Sequence, residues 1–302
     1  MTVSNTARRD ELGGNTSTGL LKLIALACML CDHLGVAIFK HPHPAYYDLR
    51  VIGRIAFPLY CWCMVVGACR TRSMPKYLLR LGLVFLVSQP LYMLALDHTW
   101  NVPNVFLTLI VGLCGIWGLR ARKWGSQLWA PVLAIVAAVV LKCDAASYGW
   151  KGVLLMMLLY AARGQRKTLA AVMIAFCLFW GNGSVRNEIF GISLAPLTAR
   201  TNPFSGIFTT LLQLQSLALL SLPLMIWPDE VRIPIPAALQ AKAQRTHLCI
   251  PTRMPSFRMP AWLGYAIYPA HLLLLIALKY QLNKPLRWEY LTQAWEQFIA
   301  LF

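Results

Sequence analysis

The feature that most limits what this chain can become is a series of unbroken apolar runs, each close to the length of a membrane span. The first reads LLKLIALACMLCDHLGVAIF, Leu20 to Phe39. At about 1.5 Å per helical residue, such a run crosses a hydrocarbon core of about 30 Å. Further runs fall near 51–69, 77–96, 104–119, 128–142, 149–162, 168–182, 205–227 and 261–279. They predict an all-α polytopic integral membrane protein with about nine transmembrane helices, within a range of about eight to ten. A closed barrel would need alternating rather than continuous apolar residues and is excluded. Composition agrees, with 58% of residues hydrophobic and 13% charged. A soluble domain carries about 25% charged residues.

Residues 1–19, MTVSNTARRDELGGNTSTG, are rich in Gly, Ser, Thr and Asn and are expected as a disordered cytoplasmic tail. No small-residue cleavage site follows the first run, so it is expected to remain as a span. Residues 20–280 then form a single transmembrane domain, with a long irregular loop at about 228–260 that is rich in Pro and Arg. Residues 281–302 are a C-terminal tail. Lys and Arg gather in the connections after spans two, four, six and eight, which puts the N-terminus in the cytoplasm. The same rule accounts for the net charge of +17, so no nucleic acid is expected as a partner. The lipid bilayer is the partner that the composition demands. Of the nine cysteines, Cys28, Cys31, Cys61 and Cys63 lie in apolar helical text, where Cys acts as a small hydrophobe. No metal site is expected.

Within the first run an acid and an imidazole stand side by side, Asp32 and His33. A charged group at that depth costs about 2.5–3.5 kcal/mol on insertion scales, so an intramembrane ionisable residue points to function by default. Partners are sought in the first loop and the start of span two, where Lys40, Arg50 and Arg54 depart from the charge pattern. Arg50 and Arg54 share one helix face. Adjacent helix residues point about 100° apart. Asp32 is therefore expected to pair with Arg54 across a helix interface, leaving His33 to face a cavity. The competing reading is an ion pair that merely locks two helices, with His33 capped by a carbonyl.

Other polar residues are weaker candidates. Asn104 and Thr108 share a face in NVFLTL, Gln89 precedes Pro90, and His271 follows Pro269 in the last span. Each also fits an ordinary interhelical hydrogen bond. His41 and His43, in the first loop, stand in reserve. Arg70, Arg72, Lys76 and Arg80 form the densest cytoplasmic basic cluster, either a topological signal or a phosphate site.

The stretches LKLIALACMLCDHLG, LRVIGRIAFPLYCWCMVVGACRTRS, KYLLRLGLVFLVSQP, NVFLTL, YGWKGVLL and YAIYPAHLLLL, in that order, resemble the TraX family. These are membrane proteins of conjugative plasmids associated with N-acetylation of pilin, and the TrbP-type proteins are similar. The resemblance covers about residues 20–165 and the last span near 262–280. TraX is in turn similar to a wider group of transmembrane acyltransferases, which includes the lysosomal heparan glucosamine acetyltransferase and the bacterial acyltransferase-3 proteins. Those proteins take an acyl group from a cytosolic donor to an acceptor across the membrane. FPLYCWCMVVG resembles the FPxFxFxxG stretch of the acyltransferase-3 proteins. In the wider group a histidine near the first spans is catalytic. The DH of TraX matches Asp32 and His33, and its GRIAFP matches Gly53 to Pro58. Were the matching histidine in the loop, it would be His41 or His43.

The resemblance implies a bacterial inner-membrane enzyme that moves an acetyl group from acetyl-CoA to the N-terminal amine of a pilin subunit at the periplasmic face. An α-amino group has a pKa of about 7.7–8.0, so a base is useful. Imidazole suits the task and contributes about 10²–10⁴-fold. His33 is expected as general base, or as an acyl carrier, and Asp32 as the neutraliser of Arg54 or of an imidazolium. Arg54 and Asn104 are candidates for the oxyanion, and Arg70, Arg72, Lys76 and Arg80 for the CoA phosphates. Arg50, Gln89 and His271 are candidates for acceptor contacts. No Gly-rich phosphate motif is present. Two other classes compete: an acyltransferase for a cell-surface glycan, and a non-enzymatic pilus-assembly factor or transporter. A transporter's paired broken helices are not found in the sequence.

Overall fold

The computed structural model describes residues 12–39, 41–121, 123–143, 148–180, 185–227 and 259–299. Residues 1–11 of the expected tail, and 228–258 of the expected loop, lie outside the described residues. Among the described residues the regular structure is helical apart from one short hairpin and an isolated bridge. Its helices are α1 Thr18–Leu34, α2 Pro44–Gly53, α3 Ala56–Arg70, α4 Met74–Leu96, α5 Val105–Arg120, α6 Trp124–Val140, α7 Gly149–Ala161 and α8 Arg166–Trp180. After the hairpin of β1 Glu188–Ile189 and β2 Ile192–Ser193 come α9 Ala195–Thr198, α10 Ser205–Leu211, a 3-10 turn Ser216–Ser221 and α11 Leu222–Ile226. The last two are α12 Ala261–Gln281 and α13 Glu289–Ile299.

Four segments are long and apolar enough to cross a membrane: Thr18–Phe39, Pro44–Arg70, Met74–Leu96 and Trp262–Gln281. Four more expected spans coincide with α5, α6, α7 and α8, which run for 16, 17, 13 and 15 residues. The run at 205–227 is a different matter. It breaks into α10, the 3-10 turn and α11, because the polar stretch between them leaves the helix to make other contacts. Gln213 bridges Val185, and Gln215 accepts from Arg54.

Two further departures have local causes. The expected loop before span two is largely helix α2. Pro44 begins it with its φ preset for the first turn, and the Ala45 N–H donates to His43 Nδ1 at 3.2 Å. Residues 12–17, expected as tail, are tied down. The Gly13 N–H donates to the Arg163 carbonyl at 2.8 Å and the Asn15 N–H to the Met225 carbonyl at 2.7 Å. Trp62 Nε1 donates to the Asn15 carbonyl at 2.6 Å.

α3 is the central helix. Phe57, Leu59, Trp62 and Val65 along it are all buried, and α1, α5 and α7 pack around it. α5 and α7 approach closely because Gly112 faces Met156, where a Cβ would overlap the thioether. α12 lies along α4. α6 presents Leu128, Trp129, Leu133 and Val140 outward, each at least 60% exposed, which suits lipid rather than water.

Candidate functional site

Asp32 and Arg54 meet where α1 crosses the junction of α2 and α3. The Arg54 guanidinium, 1% exposed, donates through Nη2 to Asp32 Oδ1 at 2.7 Å. Nη1 donates to Gln215 Oε1 at 3.2 Å, and Nε to the Arg50 carbonyl at 3.3 Å. The guanidinium also lies 5.6 Å from the ring centroid of Tyr148. Arg50 approaches the same carboxylate oxygen at 3.8 Å and lies 5.5 Å from the Tyr46 ring. Gly53 makes the crossing feasible, since any Cβ there would overlap the Asp32 side chain. This is the pairing that helix geometry predicts, and it engages the Asp32 carboxylate with the two guanidiniums.

His33 instead meets the last span. Its Nδ1 lies 2.8 Å from Nε2 of His271, and the two rings stack at 5.0 Å between centroids. Tyr268 packs edge-on to both rings. His33 also lines a cavity of about 240 Å³, walled by Asp32, Arg50, Tyr60, His98 and Tyr148 among others. A 5-residue π-helical turn, Gly35–Phe39, follows α1 directly after this site. Such turns recur at functional positions.

His98, in the connection after α4, stacks on Tyr92 at 5.0 Å. Burial holds its pKa below the ordinary imidazole value, the Asp97 carboxylate opposes that shift, and the Arg50 cation adds to it.

A second cavity of about 80 Å³ shares the Tyr60 wall with the first and is also lined by Lys22, Tyr77 and Tyr265. A third, of about 570 Å³, shares Lys22, Tyr77 and Tyr265 with the second. Arg70, Arg72, Lys76 and Arg80 all line this third cavity. The four basic residues singled out in the sequence are therefore brought together, and Lys22 joins them. Lys22 and His33 are eleven residues apart on α1, a rise of roughly 16 Å.

Asn104 and Gln89 go elsewhere. The Phe106 N–H donates to Asn104 Oδ1 at 3.0 Å, capping α5. Asn104 Nδ2 donates to the Phe85 carbonyl at 3.3 Å, and its N–H to Gln89 Oε1 at 2.9 Å. Gln89 Nε2 donates to the Val102 carbonyl at 3.1 Å. These amides join α4 to the start of α5, and neither residue lines the cavity of His33. His43 caps α2, and His41 packs on Tyr46 and Tyr47.

Sequence reading missed Gln215, Tyr148, Lys22 and a second buried ion pair. Lys279, fully buried, donates to Asp97 Oδ1 at 2.8 Å and to the Leu94 carbonyl at 3.1 Å. It fixes α12 to the end of α4. Its signal was legible, since a Lys inside the final apolar run needs a partner.

Comparison with known proteins adds three findings. A family profile described as TraX protein matches residues 17–279. The curated "Probable fimbrial assembly protein FimC, serogroup H1" of Dichelobacter nodosus is 29% identical over 168 residues, covering 52% of this chain and 68% of that protein. No solved structure matches the chain.

Proposed function

Because the chain belongs to the TraX family, we propose that it is a membrane acetyltransferase, carrying an acetyl group from cytosolic acetyl-CoA to the N-terminal amine of a pilin subunit. Transfer takes place at the periplasmic face of the bacterial inner membrane, in a chain that crosses it about nine times, the crossing at 205–227 being broken, with its N-terminus in the cytoplasm. The observation that carries this reading is the succession of three cavities. The basic third cavity suits the phosphates of CoA. The narrow second one suits its thin pantetheine arm, and the first suits the thioester beside His33.

The amine nitrogen attacks the thioester carbonyl, so a C–N bond forms as the C–S bond breaks. His33 takes the proton from the attacking amine and returns it to the departing thiolate. Arg50 lines the cavity and offers its cation to the oxyanion. Arg54, engaged by Asp32 and Gln215, holds the helices that carry the site.

A second reading has its own support, since the Dichelobacter relative is named for fimbrial assembly. In that case the chain is an assembly factor without acyl transfer. Purified protein in proteoliposomes, given radiolabelled acetyl-CoA outside and a pilin N-terminal peptide inside, separates the two. The acetyltransferase reading expects labelled peptide from the wild type and none from His33→Ala. Equal rates in the two proteins, or none in either with pilin assembly still dependent on the chain, would sink it.

A further inference from the structure

We propose that His271 is a positioning residue that sets the tautomer of His33. The functional half of this proposal rests on the acyl-transfer reading, and the structural half stands without it. The argument begins at the far side of the pair. His271 Nδ1 lies 3.3 Å from the Ile267 carbonyl one turn back on α12. A carbonyl oxygen can only accept, so that nitrogen carries the proton. A neutral imidazole with Nδ1–H has a lone pair on Nε2. Facing it at 2.8 Å is His33 Nδ1, which must therefore be the donor. His33 is held as the Nδ1–H tautomer, and Nε2 is the ring nitrogen left with a lone pair.

This assignment solves a problem that Asp32 leaves open. In many sites a carboxylate orients the catalytic imidazole, yet here the neighbouring carboxylate is taken by Arg54 and Arg50. His271 does that work as a neutral acceptor, over a separation of 238 residues. Tyr268, one turn before it on α12, packs at 4.7 Å between centroids on Phe106 and edge-on to both imidazoles. That packing fixes the plane in which the hydrogen bond forms. When the amine gives its proton to His33 Nε2, the resulting imidazolium keeps its Nδ1–H on His271. The proton then passes to the thiolate, and both rings return to their starting forms.

The test uses the full chain with histidine labelled by nitrogen-15, in lipid nanodiscs. Protonated and unprotonated ring nitrogens resonate far apart, and the His33 signals are identified by their loss in His33→Gln. The expected result is a neutral His33 with its proton on Nδ1, and loss of that preference in His271→Leu. A proton on Nε2 in the wild type, or a tautomer unchanged in His271→Leu, overturns the proposal.

Kinetics supplies the second readout. His271→Gln places an amide oxygen near the former Nε2 and keeps kcat within about tenfold. His271→Leu loses about 10²–10⁴-fold in kcat, with the KM for acetyl-CoA unchanged. A kcat that survives in His271→Leu refutes the positioning role. A chain with the expected tautomer but no acyl transfer leaves the assignment standing and sinks the enzymatic reading instead.

Discussion

Replacing Asp32 should cost the fold more than replacing Arg54, and the reason lies in how the charges are shared. Asp32 Oδ1 has two cations at hand, Arg54 at 2.7 Å and Arg50 at 3.8 Å. Arg54→Met removes the nearer one and leaves a long apolar stem in place, and Arg50 needs to move only about an ångström to form a hydrogen bond with the carboxylate. Asp32→Leu instead withdraws the carboxylate from a guanidinium that is 1% exposed, with a second guanidinium beside it. Stranding a buried charge costs about 3–5 kcal/mol, whereas replacing both members of a pair by apolar groups is often close to neutral. The expected order is therefore Asp32→Leu worst at about 3–5 kcal/mol, Arg54→Met milder, and the double variant milder than Asp32→Leu alone. Equilibrium unfolding in mixed micelles, read by tryptophan fluorescence, gives the three values. If the double variant costs as much as the two single ones added together, the pair is not coupled and this account of the crossing is wrong.

Other expectations follow from the same contacts. Gly53→Ala should lower the yield of folded protein as much as loss of the ion pair does, since its Cβ would occupy the space of the Asp32 side chain; an unchanged melting temperature would refute this. Asp97→Leu should destabilise by about 3–5 kcal/mol by stranding the fully buried Lys279 cation, and micelle unfolding would show it. Lys22→Gln with Arg72→Gln should raise the KM for acetyl-CoA and weaken its salt dependence, while a short acyl thioester without the nucleotide should be used as before. His98 has a folded pKa below its ordinary value of 6.5. The unfolded chain therefore binds the extra proton, and stability should fall as pH drops below about 6.5. His98→Gln should remove that share of the slope.

Much of this was legible in the sequence because the bilayer makes polar residues conspicuous. Asp32 and Arg54 could be paired from helix geometry alone, and the basic cluster could be seen as one group. What could not be read was the use made of residues with two plausible lives. Asn104 is a cap for α5 rather than a cavity residue, as the donation from the Phe106 N–H shows. Gln215 lies in an apolar run that reads as one span, whereas in the fold it precedes a 3-10 turn and accepts from Arg54. Nothing in the first apolar run singles out Lys22, whose place beside Tyr265 and Arg80 at one cavity is set by tertiary packing. His271 was visible as a buried imidazole, yet nothing local tied it to His33 at the other end of the chain.

That distance along the chain sets a schedule. A ribosome extends a protein at about 5–20 residues per second, and His271 follows His33 by 238 residues. The first span therefore waits roughly 10–50 s in the growing chain before its imidazole meets its partner. Asn15 waits nearly as long for the Leu224 carbonyl, 209 residues on, to which its Nδ2 donates at 3.2 Å. The opening half of the chain can insert early, but its polar groups must be sheltered by water or the insertion machinery until α12 arrives. A nascent chain that stops before α12 carries Asp32 and Arg54 but lacks His271, so the histidine pair is assembled only once α12 has been made.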